Sequence, residues 1–142
     1  GVDRDSGIRA HCLRFSKPLE RIIVQRNRIH EPRYGASSWS WGHPLGPQAI
    51  TFSYCGVNHV IRYNEIYSSG GHTHYYNHAI GGEDNFSETG FPNADSDIYG
   101  NVVTHAWDDA IEAEGGNKNV RIWGNYLDHT GTGIGRSGPC HV

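Results

Sequence analysis

The stretch that decides the fold is residues 108–134, which read DDAIEAEGGNKNVRIWGNYLDHTGTGI. Short apolar pairs alternate there with Gly and Asn, and Ile111 and Ile134 are 23 residues apart. A unit of this length is too short for a strand–helix–strand crossover, and its apolar residues lack the 3.6-residue period of a helix. We therefore predict that each unit consists of several short β-strands separated by turns.

Two patterns recur outward from this unit. In the first pattern, one apolar residue lies three positions before an Asn and another lies two positions after it. The second pattern is a small residue followed by Ile. The asparagines of the first pattern are Asn27, Asn64, Asn101 and Asn125, and the isoleucines of the second are Ile8, Ile50, Ile80, Ile111 and Ile134. Because the two patterns alternate along the chain, the repeats are expected to stack. The isoleucines would then form an interior stack, and the asparagines would form a ladder at a turn, where their amides bond neighbouring backbone groups.

These repeats resemble those of right-handed parallel β-helix proteins, the architecture of the pectate-lyase-like superfamily. The resemblance rests on residues 108–134 and on NHVIRYNEI at residues 58–66, and it covers about residues 7–135. It implies an all-β fold, a right-handed parallel β-helix (solenoid) of about four to five coils, with residues 1–142 forming a single domain. A β-sandwich or a mixed α+β domain is the alternative. So few coils make a column only about 20 Å long, so we expect a fragment of a longer helix or end-to-end self-association.

Composition and charge bear on the partners and the compartment. The 142 residues carry a net charge of −3, with a sequence pI near 6.4. This charge gives no basic surface for nucleic acid, and no apolar run approaches the roughly 18 residues of a membrane helix. We therefore expect neither nucleic acid nor membrane as a partner. The resemblance to β-helix proteins implies an extracellular or cell-envelope location. Of the three cysteines, Cys12, Cys55 and Cys140, the first two follow stacked isoleucines at similar distances and could be neighbours; whether they are bonded is open.

The segments that follow the Asn-pattern strands are expected to leave the column as loops on one side, because equivalent positions of stacked repeats become neighbours. These segments are residues 31–48, 67–78, 104–109 and 128–132. Aromatic side chains there can stack on sugar rings, and a groove beside a column suits a linear polymer. We therefore predict a polysaccharide partner. The predicted substrate-binding residues are Trp39, Trp41, His74, Tyr75, Trp107 and Arg136. The alternative is that the tryptophans fold back and bury the longer loops as small cores.

The candidate catalytic residues surround an Asp pair. Asp108 and Asp109 precede Ala110-Ile111, which is similar to polygalacturonase-type glycoside hydrolases, in which such a pair supplies the acid and the base. The resemblance implies catalytic roles for Asp108 and Asp109, with His129 in the loop of the next coil. His78 precedes Ala79-Ile80 in the same way and is expected beside Asp109. Adjacent residues of a strand point to opposite faces, so both carboxylates can serve one reaction only if the chain turns between them; otherwise the pair caps a turn.

A calcium site is predicted from stacked carboxylates. Glu83 and Glu114 each follow a stacked isoleucine by three residues, and stacked carboxylates repel unless a cation lies between them. With Asp84 they would bind Ca²⁺, the ion that neutralises uronate carboxylates in lyases of this fold. The alternative is a solvated acidic face without metal. The spacing of His72, His74 and His78 could instead hold Zn²⁺.

Taken together, these patterns predict an extracellular carbohydrate-active β-helix protein, a polysaccharide lyase or a glycoside hydrolase if it is an enzyme. The alternative is a noncatalytic glycan-binding or self-assembling structural solenoid.

Overall fold

The structure, a computed structural model, describes residues 7–12, 18–69, 71–84 and 86–136, and of His72 only the backbone. Two short 3-10 helices, Trp39–Trp41 and His72–His74, lie among its strands. The strands are β1 (Ile8–His11), β2 (Ile23–Gln25), β3 (Arg28–His30), β4 (Gln48–Ser53), β5 (Val60–Arg62), β6 (Glu65–Tyr67), β7 (His78–Gly82), β8 (Asn93–Ala94), β9 (Asp97–Tyr99), β10 (Val102–Glu112), β11 (Asn117–Lys118), β12 (Arg121–Trp123) and β13 (Tyr126–Gly135).

The fold is all-β, and every strand pairing in the described part of the chain is parallel. One curled sheet joins the order β1-β4-β7-β10 to the order β10-β6-β3, with β13 also paired to β10. A second sheet has the order β12-β9-β5-β2, and β8 pairs with β11. Within the described residues, no helix is long and apolar enough to span a bilayer.

The strand register confirms the predicted isoleucine stack. Ile8 pairs with Ile50, Ile50 with Ile80, Ile80 with Ile111, and Ile111 with Ile134. The middle three are fully buried. Two further aliphatic stacks complete the core, and they are Val24-Ile61-Ile98-Ile122 and Ile29-Ile66-Val103-Leu127. Alternation of side chains along each strand places one apolar residue of every short strand in this interior.

The asparagine ladder is present as well. Oδ1 of Asn101 accepts bonds from the backbone N–H and the side-chain amide of Asn64, at 3.0 and 2.9 Å. Asn64 accepts from Asn27 in the same way, and Asn125 accepts from Asn101. Both Asn64 and Asn101 are buried. Each amide therefore satisfies backbone groups of the turn and links one repeat to the next.

The course of the chain differs from the prediction at two segments. Residues 104–109 and 128–132 were expected to leave the column as loops, but they continue within β10 and β13. These two units carry no extra residues at this point, so the strands bend instead of being interrupted. His105 and His129 take positive φ values of 67° and 52° at the bend, the left-handed conformation that turns a strand sharply.

A disulfide joins Cys12 to Cys55, so the two cysteines whose pairing the sequence left open are neighbours and are bonded. The bond links the end of β1 to the segment after β4, one repeat further along. Cys140 lies outside the described residues.

Candidate active site

An irregularity in β10 places the Asp pair. Ala106 pairs with Thr130 and Asp109 pairs with Thr132, so three steps along β10 match two steps along β13. This extra residue is a β-bulge, which redirects the side chains around it. Asp108 and Asp109 are both buried, at 4 % and 7 % exposure, and both carboxylates face His78. The turn that the two carboxylates need in order to act together is therefore present.

The imidazole of His78 lies among three carboxylates. Its Nε2 is 3.7 Å from Oδ2 of Asp108, and its Nδ1 is 3.5 Å from Oδ2 of Asp109 and 3.5 Å from Oε2 of Glu112. His78 and Glu112 are each 4 % exposed. The sequence prediction that His78 lies beside Asp109 agrees with this geometry, and the structure adds Glu112 to the group.

The electrostatics of the cluster follow from this arrangement. Burial alone lowers the pKa of His78, but its contact with Asp109 and the charges of Glu112, Asp108 and Asp109 outweigh burial, so the pKa of His78 is raised. Burial also raises the pKa of the Asp108 carboxyl, with Asp109 adding to the rise and His78 and His43 opposing it. The buried charges thus depend on one another for their ionisation state.

A pocket of about 200 Å³ opens beside the cluster. The exposed His43 lies at its mouth, with Nε2 3.3 Å from Oδ2 of Asp108. His78 and Glu112 form part of its floor, and the other lining residues are Pro44, Leu45, Gly46, Gln48, Asn77, Gly82 and Glu83. The segment around residues 43–46 therefore covers this face of the strands. The pocket provides a route from solvent to His78 and Glu112.

The carboxylate of Glu112 occupies space left by a glycine. Gly81 is the register partner of Thr51, and a Cβ atom on Gly81 would lie 2.5 Å from Oε2 of Glu112. The side chain of Glu112 thus lies against the backbone of the neighbouring repeat, below His78. Residues 43–46 line the same pocket as Glu112, which is buried.

A second, shallower cleft of about 360 Å³ gathers four of the predicted aromatic and histidine residues, Trp39, Tyr75, Trp107 and His129. The indole Nε1 of Trp107 donates to the carbonyl of Ser37 at 2.9 Å, which ties the cleft to the long segment before β4. The ring of Trp39 is 5.4 Å from the ring of His43. The aromatic cleft and the acidic pocket therefore meet at this pair of rings.

Not every predicted site residue joins these two features. His129 lies in the aromatic cleft, where it pairs with Asp128 at 2.9 Å and stacks on His105, and not in the cluster around His78. Trp41 is 83 % exposed and does not line the cleft. His74 and Arg136 are exposed and line neither feature. The side chain of His72 lies outside the described residues, so the three-histidine zinc hypothesis stays untested.

The predicted calcium ligands are arranged differently from the expectation. Oε2 of Glu83 accepts from Arg9 at 2.7 Å and from Ser53 at 2.9 Å, so this carboxylate already has cationic and hydroxyl partners. Asp84 is half-buried, and burial raises the pKa of its carboxyl. Among the described residues, the group of acidic and histidine side chains that converges on one point is His78, Asp109 and Glu112; Glu83, Asp84 and Glu114 do not form one.

Sequence reasoning did not select His43 and Glu112 as site residues. Glu112 could have been found from the isoleucine stack, because it follows Ile111 where the preceding repeat has Gly81 after Ile80. A charged residue stacked on a glycine indicates a side chain that occupies space in the adjacent repeat. His43 carries no such signal, since its long segment has no counterpart in the shorter repeats.

Comparisons with protein-family models, with curated proteins and with solved structures return no significant match for this chain. The function must therefore be argued from the site.

Proposed function

We propose that this chain is a right-handed parallel β-helix that acts on polysaccharide. The β-helix interpretation is supported by the parallel pairing of equivalent strands, repeat after repeat, and by the interior isoleucine stack and the asparagine ladder. Solenoids of this kind present a continuous lateral surface along which an extended polymer can lie.

A single observation carries the proposal for function: a buried cluster of one histidine and three carboxylates opens into a pocket that adjoins an aromatic cleft. The rings of Trp39 and His43, whose centroids are 5.4 Å apart, connect the pocket to the cleft. Flat aromatic faces hold sugar rings, and carboxyl and imidazole groups move protons to and from a glycosidic oxygen and a water molecule. Binding surface and proton-transfer groups would then lie within one extended site.

We assign cleavage of a glycosidic bond to the cluster, with Asp108 and Asp109 as acid and base and His78 between them. Hydrolysis of a neutral glycan fits this pocket better than lyase chemistry on a uronate. The pocket is lined by Glu83 and Glu112 and adjoins the Asp pair, so a uronate carboxylate would be repelled unless a cation or protonated His78 compensated it. Lyase action remains the alternative for a cation-loaded protein.

The test is incubation with a panel of neutral and acidic polysaccharides, with either Ca²⁺ or EDTA added. New reducing ends without unsaturated products indicate hydrolysis, and unsaturated products that disappear with EDTA indicate a lyase. Asp108→Asn should lower kcat by about 10²- to 10⁴-fold, as for loss of a general acid or base. The exposed Asp95→Asn is the matched control and should leave kcat unchanged. Absence of product on every substrate would overturn the assignment of cleavage.

The aromatic cleft favours a second candidate, glycan binding without cleavage. Trp39 and Trp107 give the cleft an intrinsic fluorescence signal, and Trp39 is 49 % exposed. Under this hypothesis, Trp39→Ala weakens binding of oligosaccharides at least tenfold in a fluorescence titration, and no product forms. Trp123→Ala, at an exposed indole outside the cleft, is the control.

We propose an extracellular or cell-envelope location, because disulfides such as Cys12–Cys55 form and persist in oxidising compartments. End-to-end association is a further proposal. It is supported by β13, which pairs only with β10 within the described residues and presents a free strand edge. A molar mass in sedimentation that rises with protein concentration would support association, and a constant monomer mass would refute it.

A further inference from the structure

Three ligand-type atoms converge at the buried end of the pocket. Nδ1 of His78 is 3.5 Å from Oδ2 of Asp109 and 3.5 Å from Oε2 of Glu112, and one ligand-type atom from each of the three residues lies within 4.8 Å of the other two. The residues come from two neighbouring strands: His78 begins β7, and Asp109 and Glu112 lie near the end of β10. The backbone that holds them is fixed by strand pairing, so the three atoms form a preorganised set.

The distances match those around a small divalent ion. Ligand bonds of about 2.1 Å in a tetrahedral arrangement place neighbouring ligand atoms about 3.4 Å apart. His78 Nδ1 is 3.5 Å from each of the two carboxylate oxygens. This separation is long for a direct hydrogen bond, and His78 Nδ1 is a buried nitrogen without a hydrogen-bond partner among the described residues. When His78 is neutral with its proton on Nε2, Nδ1 directs a lone pair toward the two carboxylates, and a cation between them would remove the repulsion.

The other ring nitrogen of His78 supports the same arrangement. Nε2 faces Oδ2 of Asp108 at 3.7 Å. This separation is too long for a hydrogen bond, but the negative charge of Asp108 favours the tautomer with the proton on Nε2, which leaves Nδ1 as a ligand. The arrangement therefore follows the order carboxylate, histidine, metal, which is common around bound transition metals. Asp108 is the carboxylate, and a metal ion would lie beside Nδ1 of His78.

Access and space are also provided. His78 and Glu112 line the pocket of about 200 Å³, which leaves room on the open side for a water molecule or a substrate oxygen. Gly81 supplies the space for the Glu112 carboxylate, since a Cβ atom there would lie 2.5 Å from Oε2. Three protein ligands with one open position is the arrangement of catalytic rather than structural zinc sites.

We propose that His78, Asp109 and Glu112 form a binding site for a divalent transition metal of the Zn²⁺ or Mn²⁺ class. One imidazole with two carboxylates suits these ions, whereas Ca²⁺ takes six to eight oxygen ligands at longer distances. The site differs in position and in ligand type from the calcium site that the sequence indicated at Glu83 and Glu114. It makes Asp109 a ligand, so that Asp108, paired with His43, is the carboxyl left for proton transfer in the pocket.

Metal binding is tested on the whole chain without any polysaccharide, so its outcome is independent of the proposed cleavage activity. Protein dialysed against EDTA and then against buffer is titrated with ZnCl₂, MnCl₂ and CaCl₂ by isothermal calorimetry. We expect one equivalent of Zn²⁺ or Mn²⁺ to bind with a micromolar or lower Kd, and Ca²⁺ to bind at least 100-fold more weakly. A wild-type protein that binds neither transition metal below millimolar concentration overturns the inference.

Variants locate the site. Glu112→Gln should weaken Zn²⁺ binding at least 100-fold, whereas Glu114→Gln, two residues beyond the end of β10, should change it less than twofold. The opposite pattern, or equal binding by Glu112→Gln and wild type, would refute the assignment. If Glu112→Gln does not fold by circular dichroism, Co²⁺ loaded into the wild type provides the measurement. Strong visible absorption bands of four-coordinate Co²⁺ support the site, and the weak spectrum of aqueous Co²⁺ refutes it.

Binding and cleavage can fail separately. Metal binding with no cleavage of any glycan leaves this inference intact and counts against the proposed function. Cleavage by a protein that binds no metal leaves the proposed function intact and overturns this inference.

Discussion

Asn101→Asp is the most informative test of how the repeats are held together. The amide Nδ2 of Asn101 donates to the carbonyl of Ile61 at 3.0 Å, to the carbonyl of Tyr99 at 3.2 Å and to Oδ1 of Asn125 at 2.9 Å. Asp has almost the same shape but replaces this donor with an oxygen. The three oxygens that accept from Asn101 would then face another acceptor, the new carboxylate oxygen, at a position that is only 1 % exposed.

The expected cost follows from the bonds lost. Each hydrogen bond contributes roughly 0.5–1.5 kcal/mol net, and a buried acceptor left without a partner costs roughly 1–3 kcal/mol. The amide has two hydrogens, which the three acceptors share. Loss of both bonds, with a buried acceptor left without a partner, predicts a loss of about 3–5 kcal/mol in the free energy of unfolding, and protonation of the new carboxyl would relieve part of it. This is a large part of the roughly 5–15 kcal/mol that stabilises a typical domain. The loss should be smaller at pH 4 than at pH 7, because a protonated Asp regains one donor and its burial raises the pKa of the carboxyl.

The measurement is urea unfolding followed by circular dichroism, with the disulfide intact in every sample. Asn58→Asp is the matched control, because Asn58 is exposed and also has a positive φ, of 64°. The control should lie within about 0.5 kcal/mol of wild type, as expected for a surface substitution. The claim that the amide ladder holds the repeats in register would be refuted if the free energy of unfolding of Asn101→Asp were within about 1 kcal/mol of the wild-type value. A value equal to that of the control would refute it as well.

The remaining predictions concern the disulfide, a buried histidine and the glycine below the site. Replacing Cys12 and Cys55 together by Ser should lower the free energy of unfolding by about 4 kcal/mol, from the loop entropy of a separation of 43 residues; urea unfolding checks this, and an unchanged midpoint would contradict it. Burial lowers the pKa of His59, so below about pH 6.5, the ordinary pKa of His, the unfolded chain takes up a proton that the folded chain refuses. The contribution of His59 to the free energy of unfolding should therefore fall as pH drops from 7.5 to 5.5. The difference between wild type and His59→Gln in urea unfolding at the two pH values isolates this contribution from the opposite one of His78. Gly81→Ala should displace the Glu112 carboxylate and weaken Zn²⁺ binding at least tenfold in calorimetry, with stability measured in parallel; wild-type affinity would show that the glycine is not required.

Repetition made the core predictable from the sequence. An Ile or an Asn that recurs with the same neighbours identifies equivalent positions even when the repeats differ in length, and stacking then decides which residues meet. The pairing of Ile50 with Ile80 and Ile111 and the bonds from Asn64 to Asn101 both follow from this logic. The predicted loops at residues 104–109 failed because recurrence identifies equivalent positions but does not show whether the chain between them continues as strand.

The candidate site was predictable only in part. His78 beside Asp109 follows from their equal distance to stacked isoleucines, and the structure gives 3.5 Å between Nδ1 and Oδ2. Three other features depend on departures from the repeat. The bulge in β10 turns Asp108 toward the same imidazole, the segment before β4 buries Glu112, and His43 reaches Asp108 from that segment. None of these departures has a counterpart in the other repeats as far as the structure describes them, so no internal comparison could reveal it.

The concentration of charge at one level of the stack has a physical reason. At the level of His78, the residue that pairs with it in β4 is Gln48. In the repeats on the other side, Asp109 of β10 pairs with Thr132 of β13. At the level of Glu112, the residue that pairs with it in β13 is Gly135. The equivalent residues of the preceding repeats are Gly81 in β7 and Thr51 in β4. Uncharged or small neighbours thus bound the ionisable residues above and below, and Asp109 repels the Asp108 carboxylate more than Glu114 outside the cluster does. Such repulsion is relieved by a proton on His78 or by a cation beside it. Glu83 does not share this need because Arg9 already neutralises it at 2.7 Å, which is why the buried cluster, and not the stacked glutamates, is where a metal ion would contribute most to stability.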